Sequence, residues 1–146
     1  MRDLDKHFMR AALSESKKAL PVCLPNPPVG AVITHKDIII GKGFTQKYGG
    51  DHAEIMAIKN ITSQLSLNEC NIYITLEPCC FYGKTPPCVD SIIKCNFRKV
   101  FVSMIDTHSK NNGKGIDILR LKGICTHVGL IKEETEAFLS KYLWRN

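Results

Sequence analysis

Residues 71–76 read NIYITL and run directly into Glu77-Pro78-Cys79-Cys80. A short run rich in β-branched and aromatic side chains, closed by a proline, predicts a strand buried at the centre of a sheet. Upstream, residues 29–34 and 38–44 read as two more strands, joined in a hairpin at His35-Lys36-Asp37. Gly49-Gly50-Asp51 breaks the chain before a helix over 52–63. The first helix covers 4–19, with apolar Leu4, Phe8, Ala11, Ala12 and Ala19 at helical spacing, Asp3 as N-cap and Pro21 as its end. Pro25-Asn26-Pro27-Pro28 forms an extended loop, because proline fixes φ and biases the preceding residue toward β. Downstream come a helix over 88–95, a strand over 99–105, a helix over 116–121 stopped by Gly123, a strand over 125–130, and a helix over 132–143 carrying Phe138 and Tyr142 on one face. Strands alternating with helices after an opening hairpin predict an α/β fold, a three-layer αβα sandwich on a mixed sheet of about five strands.

The chain has 146 residues, a length that suits one domain, and no repeat or low-complexity tract divides residues 1–146. No apolar run approaches the ~20 residues needed to span a bilayer. The opening MRDLDKHFMR lacks a signal-peptide core, so the expected setting is cytosolic, off the membrane. Seven cysteines cannot all pair, and reduced thiols, some of them metal ligands, fit that setting. Twenty basic against fourteen acidic side chains give a net charge of +6. The basic residues are spread along the chain without interleaved aromatics, which fits codon bias or a solvated surface first and a phosphate-bearing small molecule second. A nucleic-acid face comes last, and no nucleic-acid partner is expected.

Three segments belong together: His52-Ala53-Glu54, Glu77-Pro78-Cys79-Cys80 and Pro86-Pro87-Cys88. One imidazole and two thiols make a three-ligand zinc set, which leaves the fourth tetrahedral position to water, as in a catalytic site. His52 and Cys88 fall in the first turns of their helices, where the helix dipole favours thiolates and hydroxide. Residues two apart on a helix point to opposite sides, which separates Glu54 from His52, but the first turn relaxes that rule. A carboxylate there can take a proton from water and return it to a substrate nitrogen. The plainer alternative is a capping box formed by Asp51 and Glu54. Cys23, Cys70, Cys95 and Cys125 read as buried small hydrophobes, and Cys80 is left out of the ligand set.

With these segments in view, the chain resembles the zinc-dependent cytidine deaminase superfamily, whose H-x-E…P-C pattern is well described. Within it, the chain is similar to the deaminase domain of bacterial riboflavin biosynthesis, diaminohydroxyphosphoribosylaminopyrimidine deaminase. The similarity runs through FMRAAL, LPNPPVGAVI, GKGFTQKYGGDHAEIMAI, YITLEPCCFYGKTPPC and GKGIDILRLKGI. GKTPPC is its most specific element. Cytidine and tRNA adenosine deaminases usually close the site with P-C-x-x-C, which would need a cysteine where this chain has Tyr82.

The resemblance implies a cytidine deaminase-like fold, one Zn(II) per chain on His52, Cys79 and Cys88, and Glu54 as the catalytic proton shuttle. It implies Asn26 at the ribose region of a phosphorylated pyrimidine substrate, Lys84 at its phosphate and Asp106 as a further substrate contact. The plainer readings are that Asn26 shapes a turn, Lys84 is a solvated loop tip and Asp106 caps a turn. Thr45 and Phe81 stand where the family usually has histidines, and Asp106-Thr107-His108-Ser109 replaces its usual D-P-N-P. The family is usually fused to an NADPH-dependent reductase domain. No G-x-G-x-x-G motif occurs here, so no reductase activity and no nicotinamide cofactor are expected of residues 1–146; the resemblance implies a separate reductase polypeptide in the pathway and, by analogy, a homo-oligomer. The rival readings are a zinc deaminase acting on a free nucleoside or tRNA, and a non-catalytic zinc-binding module with four protein ligands.

Overall fold

The hairpin that opens the sheet turns on Lys36 and Asp37, both at positive φ (49° and 62°), so that β1 (Gly30–His35) pairs antiparallel with β2 (Ile38–Phe44). Two central residues of that handedness match the right-handed twist of the strands. The fold is taken from a computed structural model, which describes residues 1–63 and 65–143. The last three residues of the expected domain lie outside the described residues.

On its other side β1 pairs antiparallel with β3 (Cys70–Leu76), which is buried along its whole length. From β3 the sheet continues in parallel through β4 (Lys99–Met104) to β5 (Thr126–Val128), giving the order β2-β1-β3-β4-β5. The connections are helical: α2 (Ala53–Lys59) between β2 and β3, α3 (Cys88–Cys95) between β3 and β4, and α4 (Lys114–Leu121) between β4 and β5. Before and after the sheet stand α1 (Asp3–Lys17) and α5 (Lys132–Leu139).

Strand alternation sorts the side chains into two cores. Ala31, Ile33, Ile72, Ile74, Val100 and Val102 face Ala57 of α2, Val89 and Ile92 of α3, and Leu119 of α4. Val32, Tyr73 and Phe101 face the opposite way, onto Phe8, Met9, Ala12 and Leu13 of α1. Leu139 of α5 closes on Leu76 and Met104. This is the expected three-layer sandwich on a mixed five-stranded sheet. Among the described residues, no helix is long and apolar enough to cross a membrane.

The differences from expectation are local and have causes. The N-cap of α1 is Arg2 in an extended conformation, not Asp3, and its backbone N–H donates to the Asp5 carboxylate at 3.2 Å. That helix stops at Lys17, short of Ala19. The second helix begins at Ala53 with His52 as its N-cap and ends at Lys59, because the Asn60 side chain turns away to donate to the Lys42 carbonyl at 2.9 Å. The capping box between Asp51 and Glu54 does not form; Asp51 pairs with Lys59 instead. Strand β5 has three residues, and the last helix gives way to a 3-10 turn at Ser140–Tyr142. Cys23 and Cys70 are buried as expected, but Cys95 is half-buried and Cys125 is exposed.

Gly43 on β2 decides how closely α2 can lie. A Cβ at this position would run into the carbonyl of Ala53 and the backbone nitrogen of Ala57. The missing side chain therefore sets the height of the helix that begins beside His52. Gly43→Ala is expected to cost about 1–3 kcal/mol, the usual range for overpacking. A lowered midpoint in thermal or denaturant unfolding checks this; an unchanged midpoint would show that α2 does not depend on the close approach.

Candidate active site

The topology gathers four loops at one end of the sheet. Because β1 runs antiparallel to β3, the loop entering β1 lies beside the one leaving β3. The loop leaving β2 and the one leaving β4 reach the same end. A crevice beyond the carboxyl ends of the parallel strands is the usual ligand position in open α/β sheets. Here it is lined by residues of all four loops.

Three donors meet at its floor, His52 and Cys79 lining it and Cys88 buried beside them. The ligand atoms of His52, Cys79 and Cys88 lie within 4.8 Å of one another. His52 Nδ1 stands 3.2 Å from Cys88 Sγ and 3.7 Å from Cys79 Sγ. Tetrahedral zinc with ordinary Zn–N and Zn–S bonds would hold nitrogen and sulfur about 3.6 Å apart, so the set fits that ion. The thiols are not equivalent. Cys79 is drawn down to about 5, first by the hydrogen bond from the Cys88 side chain, then by His52 and by the Cys88 backbone N–H at 3.3 Å. Cys88 moves upward for the complementary reason, and the hydrogen bond with Cys79 raises the His52 imidazole. The cluster is thus poised to present thiolate to a cation. On the far side of the ring, His52 Nε2 lies 3.3 Å from Thr85 Oγ1, a contact able to orient the imidazole.

Glu54 lines the same cleft and is buried. Burial raises its carboxyl to about 7, partly opposed by the charge of His52. A carboxyl near neutrality can both accept and donate a proton. The helical objection to pairing it with His52 falls away, since His52 is an extended N-cap with ψ 168° and lies outside the helical turn. Cys88 opens α3 behind Pro87, as expected.

Glu77 gives this end its frame, and the sequence offered no role for it. Its buried carboxylate accepts the backbone N–H groups of Asp106 (3.1 Å), Gly113 (2.9 Å) and Ile116 (3.2 Å). It therefore caps α4 from β3 and fixes the turn that carries Cys79. Gly115 must lack a side chain, since a Cβ there would strike the Pro78 carbonyl. Asn111, fully buried, donates to the Pro78 carbonyl at 3.2 Å and to Asp106 Oδ2 at 3.4 Å.

The three proposed substrate contacts, Asn26, Lys84 and Asp106, all line the cleft. Asp106 also makes the plainer turn, its Oδ1 accepting the His108 N–H at 3.1 Å, while burial raises its carboxyl. Lys84 sits exposed at the mouth. Of the positions that depart from the family pattern, Thr45, Phe81 and His108 line the cleft too. Thr45 Oγ1 accepts the Val29 N–H at 3.0 Å and ties the proline loop to β2. Phe81 and His108 stack on each other, 4.9 Å between ring centres and 23° from parallel. Cys80 Sγ lies 3.4 Å from the Lys110 carbonyl, apart from the His52 cluster.

A donor set of one imidazole and two thiols beside a buried carboxylate, at the switch point of a mixed sheet, is the arrangement of zinc-dependent deaminases. Residues 2–104 match the cytidine and deoxycytidylate deaminase zinc-binding region, and the chain belongs to that family. It is 41% identical over 134 residues to the diaminohydroxyphosphoribosylamino-pyrimidine deaminase of Buchnera aphidicola, covering 92% of this chain and 90% of that one. It is 40% identical to the riboflavin biosynthesis protein RibD of Aquifex aeolicus, covering 92% of this chain and 37% of that one. A crystal structure from Thermotoga maritima, of a diaminohydroxyphosphoribosylaminopyrimidine deaminase/5-amino-6-(5-phosphoribosylamino)uracil reductase, superposes with a TM-score of 0.88 at 36% identity, over 95% of this chain and 40% of that one. The chain thus spans well under half the length of the RibD proteins it resembles.

Replacing His52, Cys79 or Cys88 by alanine should abolish zinc binding, because two remaining ligands hold the ion poorly. Serine at Cys23, Cys70, Cys95 or Cys125 should leave the zinc content per folded chain unchanged. Elemental analysis of the purified variants checks this, and metal loss from any of the last four would show that a different set holds the ion.

Proposed function

We propose that the chain hydrolytically deaminates diaminohydroxyphosphoribosylaminopyrimidine, releasing ammonia and leaving 5-amino-6-(5-phosphoribosylamino)uracil. One observation carries the reading: Asn26, Lys84 and Asp106 line the same cleft as His52, Cys79 and Glu54. The activities for which the Buchnera relative and the Thermotoga protein are named support it.

In this reading His52, Cys79 and Cys88 hold one zinc ion per chain. Zinc supplies Lewis acidity there and brings the pKa of water toward ~7. Glu54 takes the first proton of the attacking water and passes it to a ring nitrogen, then takes the second, from the added hydroxyl, and passes it to the departing amine. The C–O bond forms first, across the ring C=N bond, and the C–N bond to the amino group breaks afterwards as the carbonyl forms, so water and the amine balance as carbonyl oxygen and ammonia. Burial lets Glu54 hold each proton near neutral pH, where an exposed glutamate would not. Asn26 holds the ribose region, Lys84 meets the phosphate as a mobile point charge, and Asp106 is a further substrate contact. In the same reading copies of this chain associate and the reaction takes place in the cytosol.

Ammonia release should be fastest on the phosphoribosylated pyrimidine and marginal on cytidine and deoxycytidylate. Lys84→Ala should weaken use of the phosphorylated substrate about ten- to a hundredfold, the worth of a charged hydrogen bond, and rising salt should narrow the gap. Equal losses on the phosphorylated and dephosphorylated forms would show that Lys84 only shapes its loop.

A further inference from the structure

Across the mouth of the cleft, Lys84 Nζ lies over the ring of Tyr48, 5.6 Å from its centre. The two residues come from different loops, and both line the cleft. Tyr48 is a large aromatic residue left 49% exposed, in a loop otherwise short of apolar side chains. Its backbone is pinned. The Gln46 N–H donates to the Asp51 carbonyl at 3.1 Å, and the Gly50 N–H to the Lys47 carbonyl at 2.8 Å, with Gly49 at φ +87° completing the turn. The Gln46 side chain donates back to the Phe44 carbonyl at 2.8 Å. Tyr48 is therefore presented at the mouth by a closed loop.

Lys84 stands on the opposite loop, between the two cysteine donors. The Gly83 N–H donates to the Thr85 carbonyl at 3.2 Å, and Thr85 in turn contacts His52. The backbone on either side is thus held, but the lysine stem has four methylenes and many rotamers, and the ring narrows them. The chemistry of this partner matters. A carboxylate would compete with an incoming phosphate for the ammonium, whereas an aromatic face attracts the cation and leaves its N–H donors available. Among the described residues, Lys84 has no carboxylate partner.

We propose that Tyr48 is a positioning residue for Lys84: its ring holds the ammonium over the cleft mouth, so the substrate's phosphate meets a cation already in place. The inference rests on the phosphate role given to Lys84 above. The contact uses the face of the ring and not the hydroxyl, so phenylalanine can replace tyrosine and leucine cannot.

The test is a cycle of variants in the full chain, assayed for ammonia release on the phosphoribosylated pyrimidine and its dephosphorylated form. Tyr48→Leu should lower the preference for the phosphorylated substrate about two- to fivefold, the worth of an exposed cation–π contact, and the change should fall mainly on KM. Tyr48→Phe should restore the preference. In the Lys84→Ala background, adding Tyr48→Leu should leave the ratio where Lys84→Ala set it. If Tyr48→Leu lowers the ratio equally in both backgrounds, or if phenylalanine fails to restore it, the positioning role is wrong. If Lys84→Ala matters but Tyr48→Leu does not, the inference falls and the phosphate role of Lys84 survives. If Lys84→Ala itself leaves the ratio untouched, that role falls and takes this inference with it.

Discussion

The Glu77 carboxylate, shut off from solvent, gathers backbone N–H groups from the turn after β4 and from the first turn of α4, and the functional end of the sheet hangs on that gathering. A buried carboxylate without such donors would be costly. With them it acts as a short strut between two parallel strands and a helix. Pro78 and Cys79 follow it directly in the chain, so the position of one thiol of the cluster is fixed by a group that lies outside the cluster. Asp106 is fixed by the same oxygen, through its own N–H. The cluster of His52, Cys79 and Cys88 is thus assembled from three directions: an extended N-cap, a turn braced by Glu77, and the first residue of α3.

Much of this was legible in the sequence. NIYITL marked the central strand, and the segments around His52, Cys79 and Cys88 carried the donor set and the buried carboxylate beside it. Those signals are local, a few residues of distinctive chemistry beside a strand end or a helix start. The expected fold followed from the alternation of elements after the hairpin, and the helix ends went wrong where tertiary contacts decided them. Asn60 leaves its helix to bond Lys42, eighteen residues back on β2. His52 escapes the helical spacing rule because it sits just before α2.

What was not legible depends on partners far apart in the chain. The three donors to Glu77 lie 29, 36 and 39 residues away, so no window of sequence shows that it is a strut. The contact of Thr85 with His52 and that of Lys84 with Tyr48 cross between loops that only the sheet brings together. The stacking of Phe81 on His108 is of the same kind. Two departures from the family pattern, noted separately in the sequence, are one contact in the folded chain. The role of Asp106 was left between a turn and a substrate contact; its carboxylate makes the turn while lining the cleft.

Deamination at this site requires that Glu54 move protons. Glu54→Gln is nearly isosteric and removes only the ability to accept and return a proton. The account predicts that the variant keeps its zinc and its melting temperature, while ammonia release from the phosphoribosylated pyrimidine falls by at least the ~10²–10⁴-fold typical of a general acid–base group. A Glu54→Gln protein that turns over at the parent rate but melts early would contradict it, and would return Glu54 to a purely structural part in the first turn of α2.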